Sequence, residues 1–523
     1  MGNSQTNRVR HIWILILFLP VILTVFSGCS RKQEARSTEA GKKLEFSDFD
    51  ELSGKRIGVF PVYANAVKET IPTAELAYYE GSSVMNQALK SGKIDAYAEE
   101  YSIIKIMSRD DDGISWIPEP LDSFTIACIF PKNEKGEALR NEVNEFIQPL
   151  REDGTLDSMA AIWTGSDEEL KIPPDYESLQ PVNGTIHLAV NSESMPMVYI
   201  KDNRFAGFEV DLLTRFCKEK GYALDIDDME FSAVLTAVQS GKYDVGASGL
   251  TFSKERAESV SFADAYFNTG VVLVVRTEGG SGGGGFFAGI ARRFQMTFID
   301  EKRWVLFVQG IMVTLIISIL SIIFGTAAGF GGYLLFRGGH RITKAVTGAV
   351  IRIVQGMPVL ILLMVLYYII FGRVDISGIV ISVIGFTIVF GASVFSMLAS
   401  GVESVDTGQT EGAYTLGLTD RQTLFGIILP QAMPGIVSSF KGEVVSLVKG
   451  TSVVGYIAVQ DLTKMGDIVR SRTYDAFFSI ISVAVLYFVL AALINLLVAK
   501  ILSRINLGMR SRKNLLKGVK TLD

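Results

Sequence analysis

Hydrophobic positions are distributed unevenly along the 523 residues, and the unevenness divides the chain. Between 45 and 276, short apolar runs such as 56–60 and 186–190 alternate with stretches at helical spacing, the pattern of a soluble α/β unit. Beyond 305 the runs lengthen, near 305–336, 343–371, 376–400, 433–460 and 476–502. A helix crosses the hydrocarbon core with about 20 apolar residues, so these are five spans. Several exceed that length, which predicts tilt or extra-membrane turns. At the other end, Arg8 and Arg10 precede an apolar run at 12–26 and then Ser27-Gly28-Cys29-Ser30, the form of an export signal.

Composition agrees with a membrane protein carrying a large polar part. Hydrophobic residues make up 48% and charged residues 20%, and mean hydropathy is +0.32. A net charge of −5 argues against a nucleic-acid partner. Cys29, Cys128 and Cys217 are too few for a disulfide scaffold, and His11, His187 and His340 stand in unlike contexts, so no metal site is expected. Basic residues set orientation. Arg337, Arg341 and Lys344 join the first two spans, and Lys500, Arg504, Arg510, Arg512, Lys513 and Lys517 follow the last. With both groups in the cytoplasm, five spans start outside, which agrees with an exported soluble half.

Glu411-Gly412-Ala413-Tyr414-Thr415-Leu416-Gly417, continuing to Leu429-Pro430, lies between the third and fourth spans. It predicts a short helix, a glycine turn, a second helix, and a proline re-entering the membrane. The segment resembles the EAA motif of ABC importer permeases, with Gly412 in place of the first alanine. Gln355-Gly356-Met357-Pro358, Lys449-Gly450-Thr451-Ser452 and Ser471-Arg472-Thr473 extend the resemblance to the polar amino-acid branch of that family. The resemblance implies that 411–430 docks on a cytoplasmic ATPase. No P-loop pattern occurs, so ATP would be bound by a separate subunit and the chain is not itself an enzyme. Within the fourth span, Glu443 is a candidate for the translocation path, between Lys441 and Lys449. The residues before Cys29 resemble a bacterial lipobox, with lipidation expected at Cys29.

The soluble half resembles a type II periplasmic amino-acid-binding protein with its parts in inverted order. Gly207-Phe208-Glu209-Val210-Asp211, Ser248-Gly249-Leu250-Thr251 and Phe262-Ala263-Asp264-Ala265-Tyr266-Phe267 look like the opening lobe. Leu52-Ser53-Gly54-Lys55-Arg56-Ile57-Gly58-Val59 and 153–165 look like the second lobe and the closing helices. The expected fold is therefore a circularly permuted, two-lobed α/β binding protein followed by an all-α five-helix ABC importer domain. Its divisions are 1–29 signal or anchor, 30–44 linker, 45–127 lobe II, and 128–276 lobe I with closing helices at 132–165. They continue with a glycine-rich linker at 277–300, the permease at 301–505 and a basic tail at 506–523. Permutation would leave one covalent crossover near 126–130, with Glu45 and Arg276 adjacent and close to the hinge. The resemblance puts Arg256 on a ligand carboxylate, helped by Ser248 and Thr251, and Glu100 on its ammonium. Phe208, Tyr63 and Tyr199 are candidate pocket walls.

Together these imply an amino-acid importer subunit that captures and translocates in one chain. It would form a homodimer in the bacterial inner membrane, with the lobes on the periplasmic side and a partner ATPase. The alternative is a ligand-gated ion channel, since similar lobes serve as receptor domains; Val454-Gly455-Tyr456 is similar to part of a potassium filter, but the full Thr-Val-Gly-Tyr-Gly is not present.

Overall fold

The computed structural model describes residues 44–505 apart from 80, 112, 278–285, 375 and 474. The export signal, Cys29, the Gly279–Gly285 tether and the 506–523 tail lie outside the described residues.

The polypeptide enters lobe II first. Strands β1 (Arg56–Val59), β2 (Glu75–Tyr78), β3 (Ala96–Glu100), β4 (Ile114–Trp116) and β5 (Asp122–Ile126) alternate with helices α1 (Ala64–Thr70), α2 (Ser82–Lys90) and α3 (Tyr101–Asp110). The chain then passes to lobe I through β6 (Ile129–Pro131), α4 (Glu134–Glu152) and α5 (Thr155–Thr164). A proline-bearing stretch leads on to β7 (Thr185–Val190) and the small antiparallel strands β8 (Glu193–Ser194), β9 (Val198–Lys201) and β10 (Arg204–Ala206). Next come α6 (Phe208–Lys220), β11 (Ala223–Asp228), α7 (Phe231–Gln239), β12 (Val245–Ala247), α8 (Lys254–Ser259) and β13 (Val260–Phe262). The last strand, β14 (Phe267–Arg276), does not stay in lobe I. It inserts between β3 and β4 in the lobe II sheet, whose order is β2-β1-β3-β14-β4 with β5 also on β14. The lobe I sheet runs β11-β7-β12-β6-β13.

Two expectations are corrected here. Lobe I ends at β13, because the apolar face of β14 (Val271, Leu273, Val275) packs into the lobe II core, so 128–276 is not one lobe. And two crossovers join the lobes, 127–128 and 263–266, not one. They run side by side, with Ala263 N–H donating to the Cys128 carbonyl (3.0 Å) and Tyr266 N–H to the Ile126 carbonyl (3.1 Å). The entry and exit of the domain are adjacent, as expected: Glu45 and Arg276 form an ion pair at 2.6 Å, and Leu44 bridges Thr277. They sit at the end of β14 remote from the crossovers, about 30 Å away at about 3.3 Å per strand residue, so neither attachment lies close to the hinge.

The membrane half contains α9 (Phe286–Phe294), α10 (Trp304–Phe336), α11 (Arg341–Gly356), α12 (Val359–Met364) and α13 (Gly378–Glu403). It continues with α14 (Thr407–Thr415), α15 (Asp420–Thr423), α16 (Leu429–Gly450), α17 (Leu462–Thr473) and α18 (Ala476–Ile505). Four described helices are long and apolar enough to cross a membrane, and the pair 341–356 and 359–370, bent by 101°, makes a fifth if taken as one span. The bend falls at Met357-Pro358, where the ring of a proline disfavours helical geometry in the residue before it. Helices α10 and α13 cross closely at small residues: a Cβ on Gly329 would stand 2.4 Å from the Gly391 carbonyl.

The ends of this bundle differ. Arg303 and Glu301, just before α10, lie by Arg472 of α17 (Glu301–Arg472 2.7 Å) on the side that carries the lobes. At the other end of that 33-residue helix, about 50 Å away, Arg337 pairs with Asp420 of α15. The lobes and the 411–430 segment therefore occupy opposite ends of the helices.

Candidate functional sites

In the cleft, Arg256 starts from lobe I. Ser253 caps α8 by accepting from the Arg256 N–H. The guanidinium Nη1 donates to the Thr251 carbonyl (3.0 Å) and Thr251 Oγ1 (3.3 Å), and the guanidinium carbon Cζ lies 5.9 Å from the Phe231 ring centroid. From lobe II, Glu100 ends β3 and accepts from the Tyr63 hydroxyl at 2.9 Å. Burial lifts the Glu100 carboxyl to about 7, against the hydrogen bonds from Tyr63, Thr269 and Ser102. The Tyr63 phenol is raised by burial and by Glu100, and Arg256 opposes that rise. Arg256 and Thr251 are thus joined within lobe I, and Tyr63 and Glu100 within lobe II.

The other proposed pocket residues do not join them. Ser248 is buried, accepting from the Asn191 N–H (2.6 Å) and donating to its neighbour's carbonyl, so its hydroxyl braces β7 against β12. Phe208 is fully buried on Tyr266 and Phe267 (centroids 5.8 and 5.4 Å) and is a core residue of lobe I. Tyr199 is fully buried against Trp163, with the Arg472 guanidinium 4.9 Å from its ring centroid. It belongs to the contact between lobe I and the membrane half. Glu209, which sequence reasoning passed over, is buried beside the crossover: Gly249 N–H donates to it at 2.8 Å, the Tyr266 hydroxyl donates too, and burial raises it to about 7.

The second site is the face where α17 meets lobe I. The Lys464 ammonium donates to Glu193 Oε1 (3.2 Å) and the Met229 carbonyl (3.1 Å) and stands 3.5 Å from Asp228. Arg470 pairs with the same Glu193 (3.1 Å). Beside it, Tyr243 of lobe I meets Tyr367 of the second span (2.7 Å), and Lys242 donates to the Val374 carbonyl (3.2 Å). The Gly455 carbonyl accepts the Glu230 N–H and the Tyr456 carbonyl accepts the Tyr368 hydroxyl. Two carbonyls of the filter-like triplet are therefore occupied by protein donors, and that triplet lies in a 3-10 turn beneath lobe I. The sequence offered one signal for this face, Ser471-Arg472-Thr473.

The third site is the far end. Glu411 and Gly412 are exposed on α14, while Ala413 packs inward. Gly417 turns the chain at φ +77°, a value that costs a β-carbon. A reciprocal capping box between Thr419 and Gln422 starts α15, and a π-type turn leads into α16 through Leu429 and Pro430. Tyr414, Leu416 and Phe425 project from it, 49%, 80% and 41% exposed. Between the ends, Glu443 on α16 accepts from Ser393 of α13 at 2.7 Å.

A putative glutamine transport system permease protein GlnP of Rickettsia felis is 32% identical over 202 residues, 38% of this chain and 91% of the relative. The chain belongs to the amino-acid ABC transporter permease family. The L-cystine transport system permease protein TcyB of Bacillus subtilis is 28% identical over 200 residues, 38% of the chain and 86% of that permease. The model of bacterial extracellular solute-binding proteins, family 3, matches 186–443, opening on β7 of lobe I. A crystal structure of an amino acid ABC transporter with histidines covers 39% of the chain and 94% of its own, at 29% identity and a TM-score of 0.35. The permease thus carries a solute-binding unit in the same polypeptide.

Proposed function

We propose that this chain is the capture-and-translocation subunit of an amino-acid importer of the bacterial inner membrane, driven by a separate ATPase. The observation that carries the reading is the polarity of the bundle: the binding lobes rest on one end, and the capped 411–430 turn with its exposed Tyr414, Leu416 and Phe425 occupies the other. Glu411, Gly412, Ala413, Gly417, Leu429 and Pro430 form the ATPase seat, on the cytoplasmic side by the basic residues. The lobes are a permuted binding protein on the periplasmic side, a reading supported by β14, the last strand of the lobes, lying beside β3 from their first part. Arg256 and Thr251 hold the ligand carboxylate, and Glu100 with Tyr63 faces its ammonium. Glu443 lines the path. Two copies complete the pore, consistent with the exposed apolar stripe Ile342, Val346, Val350 and Ile353 along α11. Cys29 carries the lipid.

The test is uptake of labelled L-glutamine, and of each other amino acid in turn, into proteoliposomes holding the chain with a candidate ATPase. ATP-dependent accumulation that loses saturability in Arg256→Ala supports the reading. Absence of accumulation for every amino acid, or ion current without ATP, overturns it.

A further inference from the structure

Lys464 is a membrane-half residue whose ammonium lies entirely inside lobe I chemistry. Its side chain and that of Asp228 are both 0% exposed. All three of its acceptors, Glu193 Oε1, Asp228 Oδ1 and the Met229 carbonyl, come from lobe I. Asp228 and the Met229 carbonyl are held there by lobe I itself, whereas the Glu193 carboxylate is paired by Lys464 and Arg470, both of α17. Ser192 donates to both Asp228 oxygens (N–H 2.9 Å, hydroxyl 2.6 Å), the Met229 N–H donates to the Val190 carbonyl (2.8 Å), and Asn191 Nδ2 donates to the Met229 carbonyl (2.8 Å). The Asp228 and Met229 side of the cup is thus built without Lys464, whereas the lysine is a flexible stem carrying three N–H donors.

Its location is telling. Strands β11 and β7 are parallel, and their pairing ends with Asp228 opposite Val190. The cup sits just past these carboxyl ends, where β11 and β12 flank β7 on opposite sides. Crevices outside the carboxyl ends of strands, at such a point in the strand order, are where open α/β sheets take ligands. Three residues past Asp228, Phe231 lies under Arg256, so the cup opens beside the candidate cleft. Buried carboxylates need a cation or a proton when their partner leaves.

We propose that Glu193, Asp228 and the Met229 carbonyl form a primary-ammonium subsite of lobe I, which a ligand's side-chain ammonium, distinct from the α-ammonium that Glu100 faces, fills in the undocked state and Lys464 fills on docking. The membrane half would then expel the ligand amine by direct competition for the same three acceptors. This rests on the amino-acid reading of the lobes, and it adds a residue that ejects rather than one that holds. Arg470 lies on α17 with Lys464 and leaves Glu193 with it, so undocking exposes both Glu193 and Asp228 to the ligand ammonium.

The test uses the full chain in nanodiscs and n-butylammonium chloride as probe, with tetramethylammonium, which has no N–H, as control. Lys464→Met should bind n-butylammonium at least tenfold more tightly than the unaltered chain, and Asp228→Asn added to it should cancel the gain. Equal affinity in both chains, or equal binding of tetramethylammonium, overturns the proposal. In the unaltered chain, n-butylammonium should speed hydrogen exchange across residues 462–473 and tetramethylammonium should not. No difference there overturns it independently of how the variant folds. A chain that binds the probe in this pattern but accumulates no amino acid keeps the cup and loses the importer reading. One that accumulates but shows no such binding loses the cup alone.

Discussion

The two ends of the helical bundle solve opposite problems. At the lobe end, α17 is rich in charge yet almost wholly buried: Lys464 and Arg472 are 0% and 8% exposed, and each meets a carboxylate. At the other end, Leu416 and Phe425 are apolar yet exposed. Buried charge requires partners and exposed apolar surface invites them. One end therefore has its partner in the same polypeptide, and the other presents a surface that the described residues leave uncovered. The largest expected effect comes from breaking the uncovered end. Gly417→Val forces a branched side chain into φ +77° and misdirects the 411–430 turn. ATP-driven uptake should drop to the ATP-free background and the ATPase should no longer copurify, while amino-acid binding stays unchanged. Full uptake by this variant would remove the 411–430 segment from the mechanism.

The covered end should fail differently. Glu193→Gln removes the carboxylate that Lys464 and Arg470 share. Breaking a buried pair from one side costs about 3 kcal/mol or more, because the surviving charge stays buried. Hydrogen exchange in residues 462–473 should rise by about 100-fold, with the ATPase still bound. Exchange unchanged from the parent would mean that lobe I is not held through Glu193.

In the lobes, pH acts through buried carboxyls. Burial raises Glu100 and Glu209 to about 7 and Glu99 to about 8. A carboxyl whose folded pKa is raised holds its proton more tightly folded than unfolded, so it destabilises the fold as pH climbs from about 4.5 to its folded pKa. Resistance of the lobes to denaturant should accordingly be greatest near pH 5 and fall towards pH 8, each group contributing at most about 3 to 5 kcal/mol. Glu209→Gln in the full chain, followed by tryptophan fluorescence, should flatten part of that slope. A slope as steep as the parent's would show that Glu209 ionises freely.

What could be read from sequence follows from how local the cause is. The 411–430 turn was legible because a positive-φ glycine, a capping box and a proline act within a few residues. The fate of β14 was not, because an apolar alternating strand suits either sheet and only its pairing with β3 chooses. For Phe208 and Tyr199, an aromatic residue near a binding motif fits a pocket wall or a core equally well, and the structure puts the first in the core and the second under Arg472. Lys464 gave no signal at all. Charged residues are almost never fully buried unless paired, and its partners lie more than 230 residues away.

The smallest test separates the charged part of the lobe contact from its neutral part. Tyr243 donates to Asp227 at 2.8 Å and shares a hydrogen bond with Tyr367 of the second span at 2.7 Å. Tyr243→Phe keeps the ring and removes both bonds, while Asp227 loses a donor within lobe I. A neutral hydrogen bond nets about 1 kcal/mol, so docking should weaken by about five- to tenfold, well short of the Glu193→Gln effect. If instead the phenylalanine variant releases the lobe as fully as Glu193→Gln does, the hold lies in the tyrosine pair, and the ion pairs of α17 serve to set where the lobe lands.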